Sequence, residues 1–296
     1  MKVMSHFALA SCMTVSALLF PSINWAAGAK VEAMQMPAWV DRAGIKQPLK
    51  PGMELNPGDV LTTGPGARML LNMDDGSLVK MGEDASLNLA AMLPPANDKG
   101  YFEAAIHVIK GAFRFTTTEL AQTRKRNIDV RIGAVTVGIR GTDIWGSATA
   151  DQDILCLIEG KISAQREGES AFTMQDPLSF YIAPKNKPAL PVKPVSKNKL
   201  TKWAAETEVL AGGGVLAVDG TWSVNLMSLD SITSAEQSIK LLADAGYAAE
   251  IHNFLLNERD VYRVRVTGFK SKKDAQHFAN LIDGQHGIVK PWVAQL

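Results

Sequence analysis

Cysteine is nearly absent from this 296-residue chain, which holds only Cys12 and Cys156. Loss of an N-terminal leader would leave Cys156 alone, and one thiol makes no internal disulfide. Cys156 stands in the apolar run Ile154–Ile158 and reads as a small core hydrophobe. The five histidines, His6, His107, His252, His277 and His286, make no metal spacing with one another or with a cysteine, so no metal is expected. No glycine-rich phosphate loop precedes a helix. Ser77-Leu78-Val79-Lys80 and Ser196-Lys197-Asn198-Lys199 fit the loose S-x-x-K pattern, but no K-T-G segment accompanies them. A glycosidase needs two carboxylates across a cleft, and no local signature marks such a pair. The expectation is a protein without cofactor or catalytic site. A net charge of +1 lacks the basic excess of a nucleic-acid binder. Beyond the N-terminus, no apolar run is long enough for a membrane span.

What is present begins with an export pattern. Lys2 precedes an apolar stretch, Phe7–Phe20, of about 14 residues, a length suited to a leader. Ala26, Ala27 and Ala29 then offer small residues for cleavage. A periplasmic location follows as the expectation. The alternative is a lipid anchor on Cys12, since Leu9-Ala10-Ser11-Cys12 resembles a lipoprotein box; the apolar run, however, continues past it to Phe20.

Changes of texture divide the remainder. Residues 1–27 read as a signal peptide and 28–56, with Pro37, Pro48 and Pro51, as an irregular segment. Residues 57–183 carry short runs of β-branched and apolar residues separated by turn sequences such as Asp74-Asp75-Gly76-Ser77 and Glu159-Gly160-Lys161, predicting an all-β domain. In 184–219, prolines alternate with lysines, a short helix is expected over Lys199–Leu210, and Gly212-Gly213-Gly214 breaks it, so this stretch reads as a linker. Residues 220–296 predict an α+β domain of order β-α-β-β-α-β, a ferredoxin-like arrangement. Its strands are Trp222–Met227, Ala248–Phe254, Asp260–Thr267 and Gly287–Trp292, and its helices Ser234–Asp244 and Ser271–Ile282. Ala275, Phe278, Ala279 and Ile282 share one helical face.

The C-terminal segments Trp222–Ser228, Ala243–Tyr247, Tyr262–Val266 and Gly268-Phe269 resemble SPOR domains, which bind peptidoglycan glycan strands stripped of stem peptides and often mark division sites. The resemblance implies that Asn225 stands at the family's first-strand amide position, Ser228 at its loop serine and Arg263 at its third-strand arginine. The family usually has Gln where Asn225 stands and Gly where Met227 stands. Some members carry an exposed aromatic near the third strand's start, where this chain has Val261, with Phe254 and His252 as substitutes from the second strand. Strand alternation turns Val224, Leu226, Val264 and Val266 toward the helices, and Ser223, Asn225, Met227, Arg263 and Arg265 outward. Amide and hydroxyl groups suit sugars, and arginine suits the free carboxylate of stripped muramic acid. Asn225, Ser228, Arg263 and Arg265 are therefore the candidate glycan-binding residues.

The middle domain resembles FecR-like domains at Gly58–Gly66, Asp75-Gly76-Ser77, Val135–Asp143 and Ile158–Ile162. An ion pair between Arg140 and Asp143 is the structural expectation there. The combined reading is a non-catalytic envelope protein that binds peptidoglycan glycan strands, its FecR-like domain serving as scaffold or platform for an envelope partner. The alternative is envelope signalling through that domain.

Overall fold

The computed structural model describes residues 28–93, 101–118, 125–139 and 141–296; the export segment and Arg140 lie outside them. Apolar side chains recur at alternate positions between short turns, so strand dominates. The segment 28–56 is a correction to the expectation of irregular chain. It forms β1 (Ala29–Gln35), β2 (Ala38–Arg42), β3 (Ile45–Pro48) and β4 (Glu54–Leu55). Ala29, Val31, Met34, Ala38 and Val40 point into the core. The prolines hid this alternation because they sit at the breaks: Pro37 between β1 and β2, Pro48 at the end of β3, and Pro51 in the following turn.

Strands β5 (Val60–Thr63), β6 (Arg68–Met73), β7 (Leu78–Met81), β8 (Ser86–Leu93) and β9 (Tyr101–Thr116) follow. After them come β10 (Lys125–Ile132), β11 (Val135–Ile139), β12 (Asp143–Ala148), β13 (Gln152–Glu159) and β14 (Ile162–Arg166). The set closes with β15 (Phe172–Met174), β16 (Ser179–Pro184) and β17 (Leu190–Pro194). The expected hairpin joins β6 to β7, with Gly76 at φ 87°. Pairing gives two sheets. One runs β4-β1-β6-β7-β9-β12-β13-β16-β17. The other runs β3-β2-β5-β8-β9-β10-β11-β14-β15, with only β9–β10 parallel. Strand β9 serves both and bends at Gly111, where a Cβ would meet Ala85 at 2.6 Å. Val31, Leu71, Phe113 and Leu155 of the first sheet share one core with Val40, Leu61, Ile106 and Val130 of the second.

Two of the segments that resemble FecR domains are the corners where the chain changes sheet. Gly141 and Thr142 lead into β12 from the end of β11, and Gly160-Lys161 carry β13 into β14. The corners touch. Gly160 has φ 90°, and a Cβ there would lie 2.7 Å from the Gly141 carbonyl oxygen and 2.7 Å from Thr142 Cγ2. Asp143, at the start of β12, is held by Arg114 of β9 at 2.6 and 2.9 Å. The partner expected for Asp143, Arg140, lies outside the described residues.

The Pro/Lys stretch is also packed, contrary to its reading as a linker. Strand β17 adds to the edge of β16, and α1 (Lys197–Thr207) follows with Ser196 as its N-cap. Trp203 of α1 stacks on Trp145 of β12, with ring centroids 4.6 Å apart and planes at 8°. Phe180 meets Trp203 edge-on at 5.7 Å. Ala112 and Cys156 complete this second apolar cluster, and burial pushes the Cys156 thiol up to about 12. Just past the helix, Glu208 pairs with Lys80 at 2.7 Å and Arg114 at 3.2 Å.

The C-terminal unit comprises β19 (Trp222–Leu229), α2 (Ile232–Asp244), β20 (Glu250–Leu256), β21 (Arg259–Phe269), α3 (Lys272–Ile282) and β22 (Trp292–Gln295). Its strands pair antiparallel in the order β20-β21-β19-β22. Asn257 and Glu258, both at positive φ, make the tight turn from β20 to β21. Ala275, Phe278, Ala279 and Ile282 of α3 are buried as the spacing predicts. The last strand begins at Trp292 instead of Gly287, because Gly287 and Lys290 take positive φ and cannot extend the backbone.

A two-residue strand, β18 (Leu216–Ala217), joins the two units. Leu216 pairs with Met34 of β1 on one side and Phe269 of β21 on the other. The loop before it is fixed by buried Asp274 of α3, whose Oδ1 accepts from the N–H groups of Gly212, Gly214 and Val215 at 2.7–3.1 Å. Ala38 N–H donates to the Gly246 carbonyl at 3.1 Å, and Trp39 Nε1 donates to that of Asp244 at 3.2 Å.

Two stability predictions follow from these joints. Gly160→Ala forces a side chain into a positive-φ, sterically closed corner and should cost about 2–3 kcal/mol in urea unfolding. Asp274→Ala strands two buried donors and one half-buried donor and should cost about 3 kcal/mol or more. Asp274→Asn, which keeps an acceptor oxygen, should cost clearly less in the same measurement.

Candidate functional site

Both helices of the C-terminal unit lie against one face of its sheet, which buries Val224, Leu226, Val264 and Val266. Pairing register defines the opposite face. Arg263 lies across from His252 on one side and Ser228 on the other. Arg265 lies across from Glu250 and Asn225, and Asn225 in turn from Trp292. Thr267 lies across from Ser223. The four candidate residues are therefore brought together on one surface, with Ser228 exposed and both arginines half-buried.

Two details differ from simple alternation. A bulge interrupts β19 between Asn225 and Met227. Met227 is consequently opposite Val264 and packs against the core instead of facing outward. Ser223 and Asn225 do lie on the outer side, yet each is only 2% exposed. They occupy the central strand, where the longer side chains of flanking strands close over short ones. Ser223 Oγ donates to the Ala294 carbonyl at 3.2 Å.

Arg263 is the centre of the surface. Its Cζ lies 4.4 Å from the Phe254 ring centroid and 5.3 Å from that of Trp292. Such cation–aromatic contacts are worth about 0.5–2 kcal/mol each and hold the guanidinium in place. His252 stacks beside Phe254 at 5.9 Å and 25°. Arg263 Nε is buried and has no hydrogen-bond partner among the described residues. By contrast, Arg265 Nε is committed to Glu250 at 2.9 Å. The two arginines are unequal: one is balanced by a carboxylate, and the other is held by rings with no carboxylate partner among the described residues. Trp292, 41% exposed, was not among the expected site residues. Its place on β22 opposite Asn225 is a matter of register, and the late start of that strand concealed it.

An open face of aromatic rings, hydroxyls and one unpaired guanidinium has the chemistry to hold a sugar chain bearing carboxylates. No cluster of three or more His, Cys, Asp or Glu side chains suited to a metal occurs among the described residues.

The fold defines a two-domain protein in which an all-β domain precedes a smaller domain of helices on a sheet. Comparison with family models matches the FecR protein family at residues 59–163 and the SPOR domain at residues 218–295. The chain carries a FecR domain followed by a SPOR domain, and SPOR domains in general bind peptidoglycan. No curated protein matches the chain. Among solved structures, it is similar to two crystal structures of a candidate anti-sigma factor from Parabacteroides distasonis. One has 13% identity, covers 69% of this chain and 98% of that one, and has a TM-score of 0.39. The other has 14% identity, covers 75% and 89%, and has a TM-score of 0.39. No helix among the described residues is long and apolar enough to cross a membrane.

The packing of Arg263 generates a prediction about stability. Its Nε lacks a partner and its stem lies against rings, so Arg263→Met keeps the apolar contacts and removes a desolvated donor. The variant should unfold within about 1 kcal/mol of the parent in urea. Asn225→Ala, at a buried position, should cost more.

Proposed function

We propose that this protein is a non-catalytic, periplasmic peptidoglycan-binding protein that holds stripped glycan strands on the outer sheet face of its SPOR domain. The observation that carries the reading is the guanidinium of Arg263, set between Phe254 and Trp292 without a carboxylate partner. A muramic acid freed of its stem peptide carries the anion this cation lacks, and the flanking rings offer apolar faces to a sugar. Ser228 supplies an exposed hydroxyl beside Arg263. Arg265, already paired with Glu250, orders the surface, and buried Asn225 supports it from below. The antiparallel order β22-β19-β21-β20 supports a ferredoxin-like topology for this domain. The proposed export signal at residues 1–27 supports a periplasmic location.

In this reading the FecR domain is a scaffold or partner platform. Its family match also supports a second reading, envelope signalling, for which co-purification of an inner-membrane regulator with the intact protein is the discriminating result.

The test is co-sedimentation of the chain from residue 28 onward with intact and amidase-stripped sacculi. Binding should rise on stripping. Arg263→Met and Ser228→Ala should each lower it, the arginine variant by about tenfold, as expected for losing a charge-assisted hydrogen bond of about 1.5 kcal/mol. Equal sedimentation with both sacculi, or none with either, would sink the glycan reading.

A further inference from the structure

The outer face of the SPOR sheet does not end at the domain's edge. Beyond Arg265, β21 continues through Thr267 and Gly268, and there the FecR-side segment 47–53 rises opposite it. Between them lies an open cleft of about 470 Å³. Gln47, Lys50 and Met53 line one wall, and Val218, Glu250 and Thr267 the other. That volume falls within the range of about 300–1,000 Å³ in which small-molecule ligands are held. The cleft is continuous with the site already described, because Glu250 belongs to both: it faces the cleft and pairs with Arg265. From Arg263 to Thr267, the outward residues of β21 span about 14 Å at roughly 3.4 Å per residue, enough for more than one sugar ring.

Charge distinguishes this cleft from a passive gap between domains. With Arg265 committed to Glu250, two cations on the continuous surface have no acidic partner among the described residues: Arg263 at one end and exposed Lys50 at the other. Gln47 is likewise exposed. Lys50 is also held in a defined place. It follows buried Leu49, whose N–H donates to the Ala38 carbonyl, and its own carbonyl accepts from Met53 N–H.

We propose that the glycan site is shared between the two domains. On this proposal, which rests on the glycan reading above, a stripped strand lies along β21 and enters the cleft. Lys50 there takes the carboxylate of a second muramic acid, and Gln47 offers its amide to the sugar. The N-terminal strands that pack into the β domain thereby contribute directly to ligand binding, and the fixed joint between domains determines where Lys50 stands relative to Arg263.

The experiment measures affinity of the chain from residue 28 onward for soluble stripped glycan strands and for chitin oligosaccharides, which lack the lactyl carboxylate. Lys50→Ala should weaken binding to stripped strands about three- to tenfold, as for a partly screened charge contact. Lys50→Arg should retain it, and binding to chitin oligosaccharides should be unchanged in both variants. If Lys50→Ala binds stripped strands like the parent while Arg263→Met is weakened, the shared site is refuted and the single-domain glycan site stands. An equal loss on both ligands would refute the carboxylate contact. Failure of the parent chain to bind stripped strands would remove both proposals together.

Discussion

Asp274 holds the loop on which the arrangement of the two domains depends. One of its oxygens gathers the N–H groups of Gly212, Gly214 and Val215, and the other accepts from the Ser271 hydroxyl that caps α3. A buried carboxylate is tolerable only when its lone pairs are filled in this way. The fixed loop delivers Leu216 and Ala217 in extended form to a gap between two strand edges. There Leu216 pairs toward β1 and toward β21 at once. A loop of three glycines is flexible as free chain, and here that freedom serves to bring three N–H groups around one oxygen while Gly213 N–H turns back to the Leu210 carbonyl.

The rest of the interface extends the same constraint. Trp39 lies against Gly246 so closely that a Cβ there would meet the ring at 2.6 Å, and Lys46 lies over the same ring at 4.3 Å. Gly246, besides ending α2, is one of the places where the β2 strand touches the SPOR domain. On the other side of the β domain, α1 is anchored by the Trp145–Trp203 stack and by Glu208 against Lys80 and Arg114. Chain leaving the β domain is thus tied down at the helix, at the loop and at β18. A site built across such a joint loses less freedom on binding than one assembled from two tethered bodies, which is the benefit of preorganisation.

The fold was legible where local chemistry and tertiary structure agree. The βαββαβ order followed from helical spacing in Ser271–Ile282 and from the serines and glycines that start and stop the helices. The all-β character of the middle of the chain followed from alternation and turn sequences. Prolines misled the reading twice, at 28–56 and at 184–219, because a proline at a strand break and a proline in open chain look alike locally. Pairing partners were not legible at all. Glu159-Gly160-Lys161 has the signature of a tight turn, yet the strands on either side join different sheets, and only the contact of Gly160 with Gly141 reveals why. In the site, alternation turned both arginines to the outer face, whereas Ser228 came from the family resemblance alone, since strict alternation would set it with Leu226 toward the helices. It failed at Met227, where one bulged residue reverses the side, and it gave no sign of Trp292, which depends on where a four-residue strand begins.

The inequality of Arg263 and Arg265 follows from that register. The two residues are neighbours on one face of one strand and share the same chemistry. Arg265 stands opposite Glu250 and is neutralised, whereas Arg263 stands opposite His252 with Phe254 close by, and meets rings where its neighbour meets a carboxylate. Ring faces attract a cation without cancelling its charge, so the guanidinium is positioned while remaining available to an anion. A carboxylate partner would position it equally well and leave a ligand to compete with an existing ion pair. The glycan reading therefore rests on the aromatic neighbours as much as on the arginine, since they leave this cation both ordered and unsatisfied.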